Sequence, residues 1–152
     1  MITYTELEGL SLWVHLLAVT ESEIDDLTSE IQGRNGKAAR ILRGQRCQTR
    51  ERLFQEFAAA LQFPHYFGDN WDALEECLGD LEWLGAEQLI LVITNADNLL
   101  PRHDGDLRTL ASILQTVHEL EETPLERVIF QCTPEGETST RQRLGATGLT
   151  IG

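Results

Sequence analysis

The sequence predicts an α/β domain built on a small parallel β-sheet of three to four strands with connecting helices. Short apolar, β-rich runs occur at residues 10–19, 88–93 and 127–132, and segments with helical periodicity lie between them. Strands that alternate with helices in a compact domain run parallel and are joined by right-handed crossovers. The length of 152 residues suits one domain.

A strand and a helix open the chain. The run "LSLWVHLLAV" (Leu10–Val19) predicts the strand, and Thr20 with Glu23 forms a capping box that begins a helix ending near Ile31. After the turn-like "GRNG" at residues 33–36, the segment "AARIL" predicts a short second strand. Whether the first strand joins the same sheet is left open by the sequence.

Two helices follow without an intervening strand. The first begins at Thr49 and ends before Pro64, and its apolar residues share one face. Those residues are Leu53, Phe54, Phe57, Ala58 and Leu61. Asn70 is a good N-cap for the second helix. Its predicted buried stripe consists of Trp71, Leu74, Leu78 and Leu81.

The remaining elements are a buried strand, a helix and a last strand. "QLILVI" (Gln88–Ile93) is continuously apolar, as expected of a strand covered on both faces. Apolar residues from Leu107 to Val117 predict a helix that ends before Pro124, and "RVIFQC" (Arg127–Cys132) predicts the final strand. The polar, Gly- and Thr-rich residues 134–152 are expected to be mobile or loosely docked. We therefore divide the chain into a βα extension (1–36) packed on the domain, a central domain (37–133) and a C-terminal tail (134–152).

Composition restricts the class of partner and the location. The net charge of −13 disfavours nucleic acid and anionic membranes, which would repel the chain, and favours a basic protein or metal ions. Three cysteines without C-x-x-C spacing indicate neither a disulfide framework nor a zinc site. The first residues lack a basic segment, and the apolar run at 10–19 is too short to span a bilayer. We expect a cytoplasmic protein that is neither exported nor membrane-inserted.

Acidic residues are concentrated in one stretch of the chain. Between Leu53 and Pro101 there are nine carboxylates and no lysine or arginine, and five of the nine fall within Tyr66–Asp80. Four of these five are spaced i, i+3, i+4 and i+8, which places them on one side of the second of the two consecutive helices. They are Asp72, Glu75, Glu76 and Asp80. Because like charges on one helix destabilise it, the sequence indicates a surface for a cationic partner.

The segment "FPHYFGDNWDALEECL" resembles the barstar family of ribonuclease inhibitors. The shared signature is an aromatic pair, a glycine, an acid, an asparagine and an Asp-Ala-Leu helix, and the likeness extends over roughly residues 37–133. The resemblance implies a barstar-like fold and an intracellular inhibitor that occludes the active site of a basic ribonuclease with this helix and its preceding loop. It implies a protein partner, and we expect a monomer without cofactor.

The resemblance also assigns roles to residues of this chain. It places Tyr66 at an aromatic packing position, Gly68 in a close-approach loop, Asn70 at the helix N-cap and Ala73 where a small residue allows close approach. It implies that Asp72 faces the nuclease. The full set of predicted partner-binding residues is Tyr66, Phe67, Gly68, Asp69, Asn70, Trp71, Asp72, Ala73, Glu75, Glu76, Asp80 and Glu119.

Three positions depart from the family pattern. Glu76 occupies the position whose carboxylate enters the cationic site of the nuclease, where the best-known member has aspartate. The extra methylene moves the carboxylate by about 1.5 Å, which requires repacking against a bidentate arginine. Glu75 stands where that member has tryptophan, and Trp71 where it has leucine. These departures leave the identity of the partner open.

Two other functions compete with ribonuclease inhibition. The first is a barstar-fold immunity or adaptor protein for a different toxin or basic protein. The second is an enzyme, in which Asp69, Asp72 and Glu76 bind Mg²⁺ or two of them form an acid–base pair. No HExxH motif or complete phosphate loop supports an enzyme, and the four histidines are scattered. We expect no catalytic residues and no metal site.

Overall fold

One sheet of four parallel strands forms the centre of the protein. The structure is a computed structural model that describes residues 2–152 and orders the strands β1-β4-β3-β2. They are β1 (Val14–Ala18), β2 (Lys37–Arg43), β3 (Gln88–Thr94) and β4 (Leu125–Cys132). The predicted α/β class with a parallel sheet is confirmed, with four strands.

Helices cover both faces of the sheet. The α-helices of residues 2–152 are α1 (Tyr4–Glu8), α2 (Glu21–Gln32), α3 (Arg50–Leu61), α4 (Trp71–Asp80), α5 (Asp104–His118) and α6 (Glu137–Gly145). On one face, α1 and α2 pack against Ile90, Val92 and Ile129. On the other, the apolar sides of α3 to α6 form the larger core with the remaining strand residues. None of these helices is long and apolar enough to cross a membrane.

The predicted helix starts are confirmed by their caps. The Thr20 hydroxyl accepts from the backbone N–H of Glu23 at 3.1 Å, and the Glu23 carboxylate accepts from the Thr20 N–H, so the capping box is complete. The Thr49 hydroxyl likewise caps α3. That helix ends at Leu61, before Pro64 as predicted, because Gln62 adopts a left-handed conformation with φ of 54°.

The N-terminal extension contributes a strand to the sheet. β1 pairs with β4 along its length, from Val14 opposite Val128 to Ala18 opposite Cys132. This answers the question that the sequence left open. The short helix α1, which the sequence analysis did not anticipate, buries Tyr4 and Leu7 against α2 and the sheet. The division of the chain at residues 36 and 133 stays a prediction.

The C-terminal segment is ordered against the domain, and the expectation of a mobile or loosely docked tail was wrong. Leu144 and Leu149 are buried in the larger core. Arg143 donates to the backbone carbonyls of Leu99 and Leu100, and Gly152 exchanges backbone hydrogen bonds with the outer edge of β1. Isolated leucines and side chain to backbone hydrogen bonds dock the segment, so the sequence carries little helical periodicity to reveal it.

A hydrogen-bonded network joins the carboxyl ends of the strands. Gln131, fully buried on β4, donates to the Val19 carbonyl at 2.8 Å and accepts from the Asn95 N–H at 2.9 Å. The Asn95 side chain in turn donates to Glu21 on α2 and to Gln45 after β2. These bonds fix the relative positions of the residues at the carboxyl ends of all four strands.

We predict that Gly44→Ala destabilises the fold. A Cβ atom at position 44 would lie 2.3 Å from the Asn95 carbonyl oxygen and 2.5 Å from that of Thr94, so the backbone would have to separate. We expect the free energy of unfolding in urea to fall by about 3 kcal/mol. Gly145→Ala is the control, because nothing lies within 4 Å of its Cβ and alanine favours a helix. Equal stability of the two variants would contradict the close approach.

We also predict that His15 makes stability depend on pH. His15 is 2% exposed, and its Nε2 lies 2.9 Å from Nη1 of Arg127, which can only donate, so the ring must be neutral. Burial lowers the pKa of His15 below 6.5, and the charge of Arg127 lowers it further by a smaller amount. Below pH 6.5 His15 binds a proton in the unfolded chain but not in the folded chain. The free energy of unfolding therefore decreases as the pH falls below that value.

Urea unfolding between about pH 5 and pH 7 measures this contribution. His15→Gln retains an acceptor for Arg127 but does not titrate, so its stability should fall less steeply with acidification, by up to about 1.4 kcal/mol per pH unit. His65→Gln, at an exposed site, is the control for the loss of an imidazole. Identical slopes for all three proteins would contradict a neutral, buried His15.

Candidate protein-binding surface

An aromatic cluster holds the loop that precedes α4. Phe63 and Phe67, both in the loop, have ring centroids 4.9 Å apart, and Phe67 also meets Phe54 of α3 edge to face. Trp71 packs on the same Phe54, with centroids 4.9 Å apart. The indole N–H of Trp83 donates to the Leu61 carbonyl at 2.9 Å, so a residue after α4 is bonded to the end of α3, where the loop begins. The loop therefore has a defined path before any partner binds.

Asn70 joins this loop to the helix. Its Oδ1 accepts from the Ala73 N–H at 2.8 Å, which is an N-cap, and its Nδ2 donates to the Gly68 carbonyl at 3.1 Å. A Cβ at position 68 would lie 3.0 Å from that Nδ2, so glycine leaves room for the asparagine. Asp69, between them, is exposed and has a φ of 50°, in the left-handed region that aspartate tolerates.

The helix presents a ridge of unpaired carboxylates. Leu74, Cys77 and Leu78 face the core, whereas the predicted acidic residues are exposed. We call this set the acidic ridge: Asp72, Glu75, Glu76 and Asp80. Within residues 2–152, none of the four forms an ion pair. No cation of residues 2–152 therefore offsets the mutual repulsion of these carboxylates at spacings of three and four residues.

A depression flanks the ridge on each side. The groove between α4 and α5 has a volume of about 630 Å³ and is lined by the ridge and by Gly79, Thr116, Val117 and Leu120. On the other side, a hollow of about 120 Å³ lies between the loop and the helix. Its lining consists of Tyr66, Phe67, Ala73, Glu76, Cys77, Asp80 and Trp83. Glu76 and Asp80 line both depressions and so lie between them.

Exposed apolar side chains accompany the charges. Tyr66 is 72% exposed beside the hollow, and Leu120 is 45% exposed in the groove. Leu10, also exposed, lies outside both depressions. A partner that fits this surface would meet carboxylates flanked by an aromatic ring and an aliphatic side chain.

The structure separates the predicted binding residues into two groups. The loop and α4 bring most of them together, but Phe67 and Trp71 are half-buried and support the loop from behind. Glu119 caps the end of α5, where it accepts from the Gln115 side chain, and it lines neither depression. Partner binding by any of these residues stays a prediction.

Some lining residues were not identified from the sequence. Val117 and Leu120 are three residues apart near the end of α5, where the apolar stripe of that helix continues to its exposed end. That spacing was a signal that an apolar side chain reaches the surface there. Trp83 gave no comparable signal, because it follows α4 in a short 3₁₀ turn.

The Cys77 thiol beside the ridge is not activated as a nucleophile. Burial, followed by the charges of Glu76 and Asp80, raises the pKa of the Cys77 thiol, so it stays protonated at neutral pH. Burial also raises the pKa of Cys47, to about 12. Across residues 2–152 no group of three His, Cys, Asp or Glu side chains is arranged to hold a metal ion.

Comparison with known proteins identifies a family. The sequence model described as "Barstar (barnase inhibitor)" matches residues 38–132, which is more than half of the chain. No curated protein matches the chain.

Among solved structures, two chains from Drosophila ORC complexes, bound to AT-rich or GC-rich DNA and to Cdc6, are similar to the protein. Their sequence identities are 15% and 13%, and their TM-scores are 0.49 and 0.50. Each match covers 95% of this chain but only 48% and 49% of the matched chains, so the protein spans about half their length. At these identities the likeness concerns the fold alone.

We predict that Asn70→Ala lowers stability by about 1 kcal/mol, because it leaves the Ala73 N–H without its cap and releases the Gly68 carbonyl. Urea unfolding monitored by tryptophan fluorescence measures the change, since Trp71 adjoins the cap. Asn70→Asp retains the acceptor and should lose less. If both variants match the unmodified protein, the cap does not stabilise α4.

Proposed function

The chain belongs to the barstar family, and we propose that it inhibits a basic ribonuclease by covering its active site with α4 and the preceding loop. The barstar family is a family of inhibitors, and its members act on a protein partner. For this chain we propose the same class of partner and an inhibitory rather than catalytic role. We further propose that it acts in the cytoplasm as an antitoxin.

The observation that carries the proposal is the unpaired acidic ridge. Its four carboxylates project from one rigid helix, and no cation of residues 2–152 neutralises them. A ribonuclease that binds phosphates offers Arg, Lys or His side chains at its active site. Carboxylates fixed on a helix can replace the phosphates there and lose little conformational freedom on binding.

The neighbouring features fit the same role. Tyr66, largely exposed at the edge of the hollow, offers an aromatic face to a side chain of the partner. The capped, aromatic-supported loop holds Gly68 and Asp69 in place beforehand, which reduces the entropy lost on binding. The net charge of −13 accelerates encounter with a basic protein.

One position favours a second candidate within the same fold, an immunity or adaptor protein for a different basic toxin. Glu75 is exposed on the ridge and lines the groove, where the best-known family member has a tryptophan. A charge in place of an aromatic ring suits a partner with an additional cation opposite the groove. Trp71, by contrast, packs on Phe54, so that departure serves the interior of the protein.

We predict that Glu76→Gln and Asp72→Asn each weaken inhibition of the cognate ribonuclease by at least about tenfold, the effect of losing a hydrogen bond to a charged group. Glu76→Gln should unfold at the same or a higher urea concentration, because it removes repulsion from the ridge. Asp72→Asn should lose no more than about 1 kcal/mol, because it also removes a carboxylate from the first turn of α4, where the helix dipole favours it. Inhibition constants against a panel of basic ribonucleases, with RNA cleavage as readout, test the proposal. Asp26→Asn, an exposed acid on α2, is the matched control and should inhibit normally.

Ionic strength supplies an independent readout. Raising the salt concentration should slow association more than it speeds dissociation, because exposed charges steer the encounter and are screened. Failure to bind any ribonuclease of the panel, combined with capture of a basic protein without nuclease activity by the same ridge, would favour the second candidate. Normal inhibition by both ridge variants would contradict the proposed site.

A further inference from the structure

A small polar pocket lies at the carboxyl ends of β2 and β3, outside the α4 surface. Its volume is about 140 Å³, and it is lined by Glu21, Asp25, Ile41, Arg43, Gln45 and Thr94. In open parallel sheets, ligands bind beyond the carboxyl ends of the strands, and this pocket occupies such a position beside the first turns of α2. None of its lining residues belongs to the acidic ridge or its loop.

The pocket contains polar groups that the fold leaves unpartnered. Thr94 is only 6% exposed, yet its hydroxyl forms no hydrogen bond with the described residues, although the residue lines the pocket. Gln45 uses its Oε1 to accept from Asn95 and keeps its two amide N–H donors free. The Thr94 hydroxyl and the Gln45 amide are therefore available to a ligand in the pocket.

Charges of both signs line the same small space without neutralising each other. In residues 2–152, Asp25, Arg43 and Glu21 form no ion pair, and Glu21 accepts a hydrogen bond from the Asn95 amide. Arg43 comes from the end of β2, whereas Glu21 and Asp25 belong to the first turns of α2. Unpaired charges of both signs that line one pocket match a molecule that carries both charges itself.

The lining is held in position from behind. Asn95 contacts both Glu21 and Gln45, and its own N–H donates to the fully buried Gln131. The backbone N–H of Arg43 donates to the Glu56 carboxylate at 3.0 Å, which fixes the end of β2. These bonds hold Glu21, Gln45 and the backbone of Arg43 in position in the absence of ligand.

We propose that this pocket binds a small zwitterion, a free α-amino acid. Its ammonium group would lie against Glu21 and Asp25, and its carboxylate against Arg43, the Gln45 amide and the Thr94 hydroxyl. The volume corresponds to roughly five waters at about 30 Å³ each, so the side chain must be small, and Ile41 supplies the apolar wall that would face it.

Heteronuclear NMR titration of the full chain with glycine, alanine and serine tests the proposal. We expect saturable shifts confined to residues around Thr94, Ile41 and Gln45. Arg43→Gln and Thr94→Val should each weaken binding at least about tenfold, the effect of losing a hydrogen bond to a charged ligand. Arg46→Gln is the matched control, because Arg46 is exposed nearby but does not line the pocket.

Single-charge probes separate the alternatives. Acetate and methylammonium each carry one of the two charges, so each should bind at least about tenfold more weakly than alanine. Tryptophan, too large for the pocket, should not compete. Absence of saturable shifts with all three amino acids would overturn the proposal, as would equal binding of acetate and alanine or unchanged binding in Arg43→Gln. Ribonuclease inhibition by Arg43→Gln should be normal, so this test is independent of the proposed function.

Discussion

The burial of β3 and β4 on both faces is the constraint on which the rest of the structure depends. These strands lie at the centre of the sheet, and every residue from Leu89 to Thr94 is buried. Parallel strands in this position require helices on both faces. Because crossovers are right-handed, the long connection from β1 to β2 places α2 on one face, and the return through β3 to β4 places α3, α4 and α5 on the other. The acidic helix is thereby set beside α5.

Both ends of the chain complete the same sheet. β1 covers the open side of β4, and Gly152 in turn hydrogen-bonds to Val14 and Leu16 on the outer side of β1. The outer edge of β2 is covered differently, since the Gln32 and Glu56 side chains accept from the backbone N–H groups of Ala39 and Arg43. Covered edges of this kind discourage pairing with other chains. β1 and Gly152, which lie outside the residues matched by the family model, thus extend and cover the same sheet.

The sequence predicts what local chemistry determines. Thr20 with Glu23, Thr49 and Asn70 identify three helix starts, and the spacing of the carboxylates places them on one side of α4. The position of β1 next to β4 could not be predicted, because parallel pairing joins residues more than a hundred positions apart and depends on the whole sheet. The helix α6 was missed for a related reason, since Arg143 and Leu144 dock it through contacts that lie outside its own sequence. The same limit applies to the groove, which needs α5 beside α4.

Different residues of α4 anchor the helix and form its acidic ridge, so the fold tolerates the repulsion between the carboxylates. Leu74 and Leu78 anchor the helix in the core, Asn70 caps it, and the aromatic cluster fixes the loop before it. None of these contacts involves the acidic ridge. Its repulsion costs a few tenths of a kcal/mol per pair, which is small compared with the free energy gained by burying two leucines. Charges on the exposed side can therefore vary without loss of the fold. Glu75 and Glu76 lie on this exposed side, so a change at either position leaves the scaffold intact.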